Sequence, residues 1–105
     1  MSKHIDAYRI PSGPELDLRI HQEILGIDDT ENVPPYSTDD QLAKLVLKSI
    51  RKRRSRTFTT GTTHIKGGTW FFARYGTDPS TSTEVLSESF ALSVCRLALV
   101  IESQD

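Results

Sequence analysis

Residues 57–75, TFTTGTTHIKGGTWFFARY, decide the fold. Threonine and aromatic residues dominate the two halves, and such side chains suit a pleated, half-buried surface. Between the halves, Lys66-Gly67-Gly68 supplies glycine where a tight turn needs positive φ. The stretch therefore predicts a β-hairpin over about residues 56–75. Strand alternation sends Trp70 and Phe72 to one face and Phe71, Ala73 and Tyr75 to the other. Bulk on both sides predicts a small antiparallel sheet sandwiched by helices. Gly61 is expected to mark a bulge.

Helical periodicity flanks the hairpin. Upstream, Ser12-Gly13-Pro14-Glu15 has the spacing of a capping box, with proline at a position whose missing N–H does no harm. Leu16, Ile20 and Ile24 then recur every four residues, with Leu18 and Leu25 widening the stripe and Gly26 as a left-handed stop. This predicts a helix over about 13–25. A polar loop, 27–36, ends in Pro34-Pro35-Tyr36. A second helix is expected from Ser37 or Thr38, with Thr38 and Gln41 as capping box and Asp39 and Asp40 favoured by the dipole. Its apolar face is Leu42, Ala43, Val46, Leu47 and Ile50, and it ends near residue 53. Downstream of the hairpin, 76–82 reads as a loop and Thr81 with Glu84 as the capping box of a last helix. Leu86, Phe90, Val94, Leu97 and Ile101 form its long stripe, with Ala91, Cys95 and Ala98 beside them. A helix this apolar belongs at the centre of the fold.

The fold class expected is thus α+β in the order α-α-β-β-α. Residues 1–11 add an N-terminal arm or edge strand, and 12–105 form one domain. At 105 residues the chain can bury one modest core. Its formal net charge of −1 gives no global field for DNA or anionic lipid, so an electrostatic partner must meet a local patch. A lone cysteine, Cys95, excludes an intrachain disulfide and a multi-cysteine zinc site, and fits a reducing compartment. The greasiest run, Val94 to Ile101, is broken by Arg96 and too short to span a bilayer. A cytoplasmic protein without membrane attachment is expected.

Two segments carry a family resemblance. Val33 to Asp39, "VPPYSTD", heads a helix, and Ser93 to Leu99, "SVCRLAL", lies in the last one. Both resemble elements of the phage ABA-sandwich domain proteins, with Trp70 in the corresponding sheet region; the likeness covers roughly residues 12–102. It implies a phage or prophage gene product with helices on either side of a small antiparallel sheet. It implies no particular chemistry, because that family is defined by its fold.

Candidate sites follow from local chemistry. Arg51, Lys52, Arg53, Arg54 and Arg56 put five cations into six positions. A helix C-terminus accounts for some of that charge, and the surplus suits phosphates or an acidic partner. His64, Lys66, Gly67 and Gly68 offer backbone N–H groups and a cation for an anionic ligand such as a nucleotide. Asp28, Asp29 and Glu31 offer an acidic contact but lack the spacing of a calcium loop. The histidines have no metal-ligand spacing, and no serine sits in a nucleophile elbow. No catalytic residue, metal or cofactor is expected.

The functional expectation is a non-enzymatic phage or prophage accessory protein that binds a host protein or nucleoprotein complex. Inhibition of bacterial defence, as by an anti-CRISPR protein, is its most concrete form. The alternatives are a nucleic-acid-binding protein using the basic block and a protein that sequesters a nucleotide signal, each compatible with an oligomer.

Overall fold

The computed structural model describes residues 9–54, 57–78, 80 and 82–103. The class is α+β, with helices and a three-stranded antiparallel sheet. Helix α1, Pro14–Arg19, runs directly into a π-helical turn, Ile20–Ile24. Helix α2 is Asp40–Arg53, strands β1, β2 and β3 are Phe58–Ile65, Gly68–Tyr75 and Thr83–Ser87, and helix α3 is Phe90–Ser103. Most of the expected N-terminal arm, residues 1–8, lies outside the described residues.

The local signals operate with shifted caps. Gly13 is the N-cap of α1, with Pro14 just inside the helix and no side-chain cap bond from Ser12. Gly26, at φ 70°, provides the left-handed exit, and the Ile27 N–H donates back to the His21 carbonyl at 2.9 Å. In α2 the cap is Asp39 rather than Thr38. Its carboxylate accepts the backbone N–H groups of Gln41 and Leu42 at 2.9 and 3.2 Å. The predicted apolar face is inside: Ala43, Val46, Leu47 and Ile50 are buried, and Leu42 packs at the margin.

The hairpin forms as expected, turning through Lys66 and Gly67 with φ of 50° and 81°. Positive φ at both turn residues suits the twist of the flanking strands. The ladder from Phe58↔Tyr75 to Ile65↔Gly68 is unbroken, so Gly61 marks no bulge. Gly61 instead makes room for the Phe72 ring across the strand, which would lie 2.8 Å from an added Cβ.

Residues 83–87 are the principal correction. Thr81–Glu84 was expected to open the last helix, yet Thr83 to Ser87 pair with β2 as a third strand. Their alternation explains this: Val85 and Ser87 are buried while Glu84 and Leu86 are exposed, a period of two. The helix begins at Phe90 instead, and the Ser89 hydroxyl accepts the Leu92 N–H at 3.1 Å.

Helix α3 is central, as its apolar circumference predicts. One side packs on β2 and β3, the other on α2 and the π-helical turn. Its residues Leu92, Val94, Leu97 and Val100 are almost fully enclosed. Arg96 stays at its margin and donates from Nε to the Ile10 carbonyl at 2.8 Å, fastening the incoming chain to the core. The sheet is therefore covered on the side of Phe58, Ala73 and Val85. Among the described residues no helix is long and apolar enough to cross a membrane.

Candidate functional site

Among the described residues no element covers the sheet's second face. Register puts Ile65, Trp70, Phe72, Arg74, Glu84 and Leu86 together there. Ile65, Trp70 and Leu86 are 40%, 38% and 39% exposed, unusual values for side chains this apolar grouped on one surface. Sequence reasoning had assigned Leu86 to a helix stripe and expected the aromatics to be covered. The two-residue alternation in Thr83-Glu84-Val85-Leu86-Ser87 was the available signal for both.

Around the hairpin end these residues form a notch. Ile65, Lys66, Gly68, Trp70 and Leu86 line a cavity of about 420 Å³. Gly68 leaves the floor unfilled; an added Cβ would stand 3.7 Å from the Trp70 indole nitrogen. Lys66 brings the rim its cation. Lysine at positive φ carries a steric cost that glycine does not, and such outliers concentrate at functional positions. Further along the face, the Arg74 guanidinium lies 5.0 Å over the Phe72 ring and pairs with Glu84, Nε to Oε2 at 2.9 Å. There the two charges satisfy each other beside a cavity of about 380 Å³ lined by Arg74, Thr77, Ser82 and Glu84.

Of the expected ligand set, Lys66 and Gly68 thus share a site with apolar neighbours. His64 points to the other face, where its Nδ1 lies 3.3 Å from the Thr69 hydroxyl. The lining suits an apolar side chain better than a phosphate.

The basic block divides. Arg53 donates to the carbonyl of Ile24, an orphan acceptor at a helix end, and pairs with Glu102 at 3.3 Å. Arg54 reaches the same carboxylate at 3.5 Å. These two arginines tie α2 to the π-helical turn and to α3. Arg51 and Lys52 are exposed, and with Lys44 and Lys48 they form a cationic stripe at helical spacing. Arg56 lies outside the described residues.

The acidic loop is organised by Asp29, whose carboxylate accepts the backbone N–H groups of Glu31 and Asn32. The Glu31 bond holds the Asp29 carboxyl below its ordinary range. Asp28 and Glu31 are exposed beside it, and no cluster of metal-ligating side chains occurs among the described residues.

A buried polar cluster escaped the sequence reading. Asp17 accepts the Ser37 N–H at 2.7 Å, and the Ser37 hydroxyl accepts the Gly13 N–H at 2.9 Å. His21 Nδ1 and the Tyr36 hydroxyl meet at 2.7 Å, while His21 Nε2 is buried without a partner. Desolvation raises the Tyr36 phenol and, much more, the Cys95 thiol. A thiol held protonated is a poor nucleophile, so the cluster reads as a clamp that docks Tyr36-Ser37 on α1. Packing and hydrogen bonding account for Tyr36 and Ser37 in the VPPYSTD segment.

No protein-family model, curated protein or solved structure matches this chain.

Proposed function

We propose that this protein is a non-enzymatic binding protein that docks on another protein through the open face of its sheet. The observation that carries the reading is the notch of Ile65, Trp70 and Leu86 with the Lys66 cation at its rim. A large apolar anchor flanked by a carboxylate is the complementary partner chemistry. The likeness of "VPPYSTD" and "SVCRLAL" to the phage ABA-sandwich proteins supports a phage or prophage accessory role in the bacterial cytoplasm. Blocking a host defence complex, such as a CRISPR effector, is the concrete form of that role.

A second reading, nucleic-acid binding, is favoured by the exposed stripe of Lys44, Lys48, Arg51 and Lys52. One experiment separates the two. The tagged full chain is used to recover partners from nuclease-treated host lysate, alongside Trp70→Ala and a double alanine variant of Arg51 and Lys52. Docking through the sheet predicts that Trp70→Ala weakens recovery by about 2 kcal/mol, some thirtyfold, and that the double variant leaves it intact. Undiminished recovery by folded Trp70→Ala would sink the proposal.

A further inference from the structure

The two edges of the sheet are built differently. β3 is five residues long, carries Glu84 in an ion pair with Arg74, and lies under α3. Short length, charge and cover are the usual protections of an exposed edge. Among the described residues β1 has none of them along its eight residues, FTTGTTHI. It contains no Asp, Glu, Lys, Arg or Pro and no bulge, so its ladder is regular from end to end. Helix α3 sits over β2 and β3, and Thr62 and His64 on the helix side of β1 remain exposed. Beyond Phe58 the strand thus overhangs the body, offering about 23 Å of regular outer backbone edge.

We propose that the outer edge of β1 pairs antiparallel with β1 of a second copy, giving a dimer with one continuous six-stranded sheet. A second copy is the occupant that this edge fits without further requirements. The strand is uncharged apart from any charge on His64, so self-pairing brings no like-charged rows together. Four of its eight residues are threonine, a β-former whose cross-strand pairs are favourable.

Antiparallel self-pairing places a two-fold axis perpendicular to the sheet, midway between a residue and its own copy. Full use of the strand sets that axis at Gly61 or Thr62. In either register Thr62 stands opposite its copy or diagonal to it, within reach of a long side chain. Both sets of helices then lie on one side, and both Ile65–Trp70–Leu86 notches open on the other. The dimer goes beyond the docking proposal and does not depend on it.

The test is the mass of the full chain in solution by light scattering, over a dilution series in the micromolar range, for the wild type, Thr62→Lys and Thr62→Glu. The wild type is expected at twice the 11.8 kDa chain mass. Each variant should dissociate at a concentration at least about tenfold higher, because like charges face each other across the axis. Mixing the two variants should restore the dimer, an outcome that misfolding cannot produce. A monomeric wild type overturns the proposal. So do variants that dimerise as well as the wild type, and variants that fail to reassociate when mixed.

Discussion

The two faces of this sheet share three strands and have opposite fates. On one, Ala73 and Val85 are sealed beneath α3 and Phe58 is buried beside them, its ring tilted against Tyr75 with centroids 4.6 Å apart. On the other, Ile65, Trp70 and Leu86 are similarly apolar and stand partly in water. Hydrophobicity alone does not separate them. What differs is that one long apolar helix is available, and a single helix can cover only one side. The covered side provides the stability, and the uncovered side is the face we propose for docking.

The largest expected effect tests that division directly. Leu97→Ala, in the enclosed part of α3, should cost about 2–5 kcal/mol in urea denaturation. Leu86→Ala, on the open face, should stay within about 1 kcal/mol. Equal losses would show that the open face is part of the core after all. The helical layer on the covered side also holds polar groups. Tyr36→Phe removes the partner of His21 Nδ1 and leaves a buried ring nitrogen unsatisfied at each end. A loss of about 1–3 kcal/mol by the same measurement is expected, whereas a neutral result would mean that the clamp is held by packing alone. The smallest effect has the opposite sign. Lys66→Gly relieves the left-handed turn position and should raise the unfolding free energy in urea by about 0.5–1 kcal/mol, while removing the rim cation. A turn that gains nothing would locate the importance of Lys66 in the turn rather than in the notch.

Much of the architecture was legible from residue pattern. The hairpin followed from its β-formers and glycines, α2 from its stripe and acidic start, and the central place of α3 from apolar residues around its circumference. The third strand was misread because Leu86 falls four residues before Phe90 and so continues the helix period by coincidence. Five residues are too few for period alone to arbitrate, and Ser89 caps as well as Thr81 could. The site was legible only in part. Lys66 and Gly68 were singled out for an anion, but their apolar neighbours Ile65, Trp70 and Leu86 come from three different strands. The basic block showed its charge and hid its use, because Ile24 and Glu102, which engage Arg53, are far away in sequence.

By itself the sequence determined the first two helices, the hairpin and the glycine exits at Gly26 and Gly67, because periodicity and positive φ are local demands. Tertiary structure alone decided which arginines are bound and which free, that Tyr36-Ser37 is a clamp, and which face of the sheet stays open. Those outcomes depend on how many apolar surfaces compete for a limited number of covering elements, and that competition is settled only when the whole chain has packed.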